Sequence, residues 1–324
     1  MLLPDDADAR LVFGAALGVL GGIEECPDGQ RDLLVDLAAV LYGIDLISVP
    51  LEGCDAATFL AADPSPAVRE QAVNLLVLCE FADRELEVEE AVAVEPFADA
   101  VGIHSTFVHD ARHLARDHRA IVYADLQRQS WYAQETKREI QAGRLVELAG
   151  SKLAYTGFVA DEAVARKWRS LAAMPEGSWG REVAEFYRRH GFPFPGERHG
   201  IYEIGARHDF VHVLTDDEAS PEGELDVFAF IAAAMPDARG LSLLAVTLGI
   251  FQNGAIRRVM GKRVKMARTD TLGDPGATLR WADAFRRGRE CGIDVMGGVD
   301  HFALAPLPLD EVRTQLGVIP KGFD

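Results

Sequence analysis

The chain has 324 residues, 48% of them apolar, and a formal net charge of −18 from 51 acidic against 33 basic residues. That length holds two domains of the usual ~100–200 residues, with apolar side chains enough for a sizeable core. The acidic balance argues against non-specific nucleic-acid binding, which needs Lys and Arg to neutralise phosphates, and in favour of solubility.

Apolar residues recur at helical spacing along most of the chain, so the fold class expected is all-α. "DARLVFGAALGVLGGIEE" (8–25) and "GQRDLLVDLAAVLYGIDLI" (29–47) are the first two helical stretches. "SPAVREQAVNLLVLCEFAD" (65–83) opens with Ser65 as N-cap and Pro66 in the first helical position. "VEEAVAVEPFADAVGI" follows, and then a long polar helix over roughly 104–148 that ends near Gly150. The boundary is placed there, giving helical domains 1–148 and 149–324. "HGIYEIG" (199–205) is the one short strand candidate. "LSLLAVTLGIF" (241–251) is about 11 residues, where a bilayer span needs ~20, so it reads as a buried helix or an interfacial segment. Cys26, Cys54, Cys79 and Cys291 form no C-x-x-C pair and read as reduced thiols of a cytosolic protein. No cationic stretch precedes an apolar run at the start, so no secretory signal is expected.

Two places carry ligand-type residues. His104, His109, His113 and His118 lie close in sequence, and His109 and His113 share a helix face beside Asp110. Arg112, Arg116 and Arg119 interleave with them, as on an ordinary polar helix surface. The richer place is "RHDFVHVLTDDEASPEGE" (207–224). On a helix, His208 and His212 stand at i and i+4, a spacing at which two imidazoles reach one ion. Asp209 sits about 100° round, as a flanking ligand or as a partner that orients a histidine. The helix should end near Thr215, and a new one should start with Ser220 as N-cap and Pro221 at its first position. A short connection returns Glu224 to the level of the histidines. Two His with carboxylates suit Zn²⁺ in an open site, or Fe²⁺ or Mn²⁺ in a facial triad. The plainer reading is surface histidines at a helix corner with solubilising acids. Asp216, Asp217, Glu218 and Glu222 have the weaker claim.

The first of two resemblances rests on residues 79–103. Ala82, Asp83, Arg84, Glu85, Leu86, Glu87, Val88, Glu89 and Glu90 form a corner similar to that of the tellurite-resistance TerB-like family, with Arg84 in place of the usual glycine. "GIEECPDGQRD" (22–32) reads as a weaker copy. The resemblance implies acidic corners able to take a divalent ion, against a solvated capping loop.

The second covers about 150–320. His208-Asp209-x-x-His212 followed by Glu224 twelve residues later resembles the signature of the coenzyme Q (ubiquinone) biosynthesis protein 4 family. "MPEGSWGREVAEFYRRHGFPFPGERHG" (174–200), "GELDVFAFIAAAMP" (223–236), "WADAFRRGRECGIDV" (281–295) and "PLPLDEVRTQLGVIP" (306–320) are similar to its flanking helices. The family's Arg-Tyr-Arg run is reduced here to Arg207, and its Leu-x-Gly to Leu214-Thr215-Asp216. The resemblance implies an all-helical, often dimeric protein with a divalent metal, usually zinc, held by His208, Asp209, His212 and Glu224. It implies oxidative decarboxylation of a prenylated 4-hydroxybenzoate-type precursor, at the surface of the inner membrane and within a complex of quinone-biosynthesis proteins. Asp209 would be a ligand or general base. Zinc has no redox chemistry, so Fe, Mn or Co, or a second protein, would have to handle the oxidation.

A prenyl tail needs an apolar tunnel, for which "LDVFAFIAAAM" and "LSLLAVTLGIF" are the candidates, with plain core packing as the alternative. Arg257, Arg258, Lys262, Arg263, Lys265 and Arg268 form an acid-free basic stretch suited to anionic lipid, or else a solvated face. Two other functions fit the same residues: a non-catalytic scaffold with a structural metal, and a metal-sensing stress protein led by the N-terminal corner.

Overall fold

A computed structural model describes residues 2–83, 88–115, 131–237, 239–254 and 268–322. Among these the fold is all-α, with no strand. The helices of the first half are Asp6–Val19 (α1), Asp28–Tyr42 (α2), Ala56–Ala61 (α3), Pro66–Ala82 (α4), Val88–Ala100 (α5), Thr106–Ala115 (α6), Trp131–Gln141 (α7) and Leu145–Tyr155 (α8). Those of the second half are Glu162–Arg169 (α9), Trp179–His190 (α10), Arg207–Thr215 (α11), Pro221–Ala234 (α12), Arg239–Phe251 (α13), Ala277–Cys291 (α14), His301–Leu304 (α15) and Leu309–Leu316 (α16).

The capping residues act as local chemistry dictates. Ser65 Oγ accepts from Val68 N at 3.3 Å with Pro66 behind it, and Ser220 Oγ accepts from Gly223 N at 3.1 Å with Pro221 behind it. The single helix expected over 104–148 is not continuous. α7 stops at Gln141, Gly143 takes a left-handed φ of 81°, and α8 starts anew. Glycine reaches that conformation without a Cβ clash, so a local breaker overrides the polar helical pattern. "HGIYEIG" is turn and coil rather than strand: among the described residues there is no strand for it to join, and Gly200 packs against the Phe194 carbonyl, 2.1 Å from where a Cβ would lie.

The chain forms two compact units, Met1–Gln129 with Ser220–Arg289, and Ser130–Ala219 with Glu290–Asp324. Each is assembled from two stretches, whereas the sequence offers a single boundary-like position near Gly150. In the first unit α4 is the hub, packed by α1, α2, α5, α6 and α13. Thirteen of its 17 residues are buried, and a helix apolar on all sides belongs inside. α12 and α13 pack on each other, with Gly240 so close to Ala232 that a Cβ would meet its Cα at 2.6 Å. Their apolar side chains (Val227, Phe230, Ile231, Leu244, Leu248) are fully buried, at about 1.5–3 kcal/mol for each large one. Among the described residues, no helix is long and apolar enough to cross a membrane.

In the second unit, α10 turns Trp179, Val183, Phe186 and Tyr187 inward against α11. Phe210 of α11 sits edge-on to Trp168 and Trp179, with centroids at 5.4 and 5.0 Å. The Trp179 indole N–H donates to the Phe210 carbonyl at 3.0 Å. His301 and Phe302 close the cluster. α11 is thereby anchored through the face that does not carry the histidines.

Candidate metal centre

His208 and His212 lie one turn apart on α11, both buried, with ring centroids 5.3 Å apart. Each ring is tied by its Nδ1 to a backbone carbonyl: His208 to Gly205 O at 2.6 Å, His212 to Asp217 O at 3.1 Å. A carbonyl only accepts, so Nδ1 carries the proton in both rings and the lone pair of the neutral imidazole is on Nε2. That is the tautomer and the second hydrogen bond that metal-ligating histidines use. Phe186 stacks on the His212 ring at 5.4 Å and 26°, which fixes its plane.

Asp209 is buried beside them. Its Oδ1 lies 3.3 Å from His208 Nε2, and its Oδ2 accepts a short hydrogen bond from the Tyr187 hydroxyl. A carboxylate oxygen facing an imidazole lone pair at that distance is repulsive unless a cation, proton or metal, lies with them. Burial pushes the Tyr187 phenol well above its ordinary range, and the Asp209 charge pushes it further, so Tyr187 stays a donor to the carboxylate.

Among the described residues, one group of His, Cys, Asp or Glu side chains brings three ligand atoms together: a ring nitrogen from each of His208 and His212 and a carboxylate oxygen of Glu224, all within 4.8 Å of one another. The group omits Asp209, which is held instead by Tyr187. Two nitrogens and a carboxylate oxygen are a donor set that Zn²⁺, Fe²⁺ or Mn²⁺ accepts.

The acids between the helices take other parts. Asp216 is the left-handed C-cap of α11, with φ 62°. Glu218 pairs with Arg189 and His190, and Glu222 with Arg268. The Asp217 carboxylate is buried near Lys321, while its carbonyl holds His212. Carbonyl roles such as those of Gly205 and Asp217 leave no mark in residue types. Tyr187 carried a weak signal, as an apolar-face residue of an amphipathic helix just upstream.

Elsewhere, His104 and His109 are exposed, with Nδ1 atoms 3.7 and 3.6 Å from carboxylate oxygens of Asp99 and Glu95. His118 lies outside the described residues, as do Arg84, Glu85, Leu86 and Glu87 of the TerB-like corner. Of that corner, Asp83 caps α4 and accepts from Gln30 Nε2 at 2.7 Å, which ties it to the weaker copy at 22–32. Arg257, Arg258, Lys262, Arg263 and Lys265 also lie outside the described residues, and Arg268 pairs with Asp274 and Glu222. No protein-family model matches the chain, and no curated protein matches it.

Proposed function

We propose that this chain is a divalent-metal protein of prenyl-quinone biosynthesis, acting in the oxidative decarboxylation of a prenylated 4-hydroxybenzoate-type precursor. The observation that carries the metal centre is the pair of buried imidazoles with both Nδ1 atoms held by carbonyls and a Glu224 oxygen within 4.8 Å of the ligand nitrogens. The quinone assignment rests on the resemblance of residues 150–320 and on the spacing of His208, Asp209, His212 and Glu224.

His208, His212 and Glu224 would hold the ion, zinc by resemblance and Fe, Mn or Co on chemical grounds. When bound, it would polarise a carboxyl or phenol oxygen of the substrate. Tyr187 keeps the Asp209 carboxylate beside His208, where Asp209 would receive a proton. Metal analysis of purified protein tests the reading. Stoichiometric metal in the parent chain, lost in the His208→Ala, His212→Ala and Glu224→Ala variants, supports it; retention in all three places the metal elsewhere.

One observation favours a second reading, a structural metal in a non-catalytic scaffold. Asp209 Oδ1 lies 3.3 Å from His208 Nε2, outside the three-residue group; were metal binding to draw it in as a fourth donor, the closed shell would leave no open position for a substrate. The electronic spectrum of the cobalt form, with and without added azide, separates the two, because azide enters only an open site. Attachment to the inner membrane through the basic stretch, and partnership with other quinone-biosynthesis proteins or a second copy of the chain, belong to the same proposal. Flotation with anionic liposomes, abolished by high salt, is the result expected for membrane attachment.

A further inference from the structure

An α-helix leaves its last four carbonyls without partners inside the helix. In α11 these belong to His212, Val213, Leu214 and Thr215. The His212 carbonyl receives N–H groups of the following turn, from Asp216 and, at 3.0 Å, from Asp217. The other three are satisfied from about 100 residues away. Arg313 Nε donates to Leu214 O at 2.9 Å and its Nη2 to Val213 O at 3.2 Å. Lys321 N donates to Thr215 O at 2.7 Å. Arg313 also places a positive charge at the negative end of the helix dipole.

The same clamp reaches the residue that holds His212. Directly after the left-handed Asp216, the Asp217 carboxylate is buried with Lys321 Nζ at 3.5 Å, and its carbonyl accepts from His212 Nδ1 at 3.1 Å. Asp217 is thus fixed from two directions, by the capped end of α11 and by Lys321. We propose that Arg313 and Lys321 are positioning residues of the metal centre: they lock the end of α11 and the Asp217 carbonyl, and so aim His212 Nε2. The inference rests on His212 being a ligand. His212 sits in the last turn of α11, so a frayed end would release its Nδ1 anchor and the ring with it. Loss of such an outer anchor lowers metal affinity about tenfold to a hundredfold.

The test uses the full chain and two readouts, Zn²⁺ affinity by chelator competition and the visible spectrum of the Co²⁺ form. Parent, His212→Ala, Arg313→Ala, Arg313→Lys and Asp310→Asn are compared. Asp310→Asn removes the carboxylate that pairs with Arg313 Nη1 at 3.1 Å and leaves both carbonyl bonds, so it reports what a merely structural surface change does. The result expected is a loss of at least about tenfold in affinity with an altered cobalt spectrum in Arg313→Ala, partial recovery in Arg313→Lys, and parental values in Asp310→Asn. Parental affinity and spectrum in Arg313→Ala, with binding lost in His212→Ala, overturn the inference and leave the metal centre standing. Absence of binding in the parent, or full binding in His212→Ala, overturns the metal centre itself. If Arg313→Ala does not fold, Arg313→Gln, which keeps one donor, is judged by the same two readouts.

Discussion

His301 gives the sharpest solution test of the second unit. Its ring lies against Trp179 and Phe210, and its Nε2–H donates to Val295 O at 2.9 Å. Burial, reinforced by the positive charge of Arg207, lowers its pKa from 6.5 to about 4. The native state therefore keeps this imidazole neutral, whereas the unfolded chain binds a proton once the pH drops below 6.5. The stability this contributes is complete above 6.5 and is lost as the pH falls towards about 4. The gap between those values, at about 1.4 kcal/mol per pH unit, amounts to about 3 kcal/mol in full. Between about pH 7.5 and about pH 5 the loss is about 2 kcal/mol. Urea unfolding of metal-free protein, followed by tryptophan fluorescence across that range, measures it. His301→Gln keeps a donor near the Nε2 position and cannot take up the proton. Subtracting its pH dependence cancels what carboxylates and other histidines contribute. Wild type should lose about 2 kcal/mol more than the variant on acidification, and parallel pH curves would refute the reasoning.

Tyr187→Phe removes the hydroxyl that donates to the buried Asp209 carboxylate, at a cost of about 1.5–3 kcal/mol, measured by urea unfolding in metal-free buffer. Ser220→Ala deletes the N-cap bond to Gly223 N and should cost about 1 kcal/mol, while Ser220→Asp keeps an acceptor and should stay near wild type in the same assay. Zinc at a hundred times its dissociation constant should stabilise the parent chain by about 2.7 kcal/mol and raise its melting temperature. EDTA should reverse this, and His212→Ala should not respond; an equal response in that variant would count against the centre.

Much of the candidate centre follows from rules that act within a few residues. Ser220 and Pro221 start a helix because a hydroxyl can cap orphan N–H groups and proline gives up no bond there. His208 and His212 share a face because 3.6 residues make a turn. The all-α class follows from the same periodicity. Those rules failed where distant packing or one conformation outweighed pattern. Residues 199–205 alternate like a strand but are turn and coil, with no strand among the described residues, and Gly143 breaks a run that otherwise favours helix.

What the sequence alone determined, then, is the all-α class, where α11 ends and α12 starts, and which ligand-type side chains the turn of α11 aligns. Tertiary structure decided how each ligand is held. The carbonyls of Gly205 and Asp217 choose the imidazole tautomers, Tyr187 engages Asp209, and Arg313 and Lys321 close the end of α11 from about 100 residues away. Backbone carbonyls are the same in every residue, and contacts across long separations depend on how the chain returns on itself. Neither is written in local residue type, so both became legible only once the helices were packed.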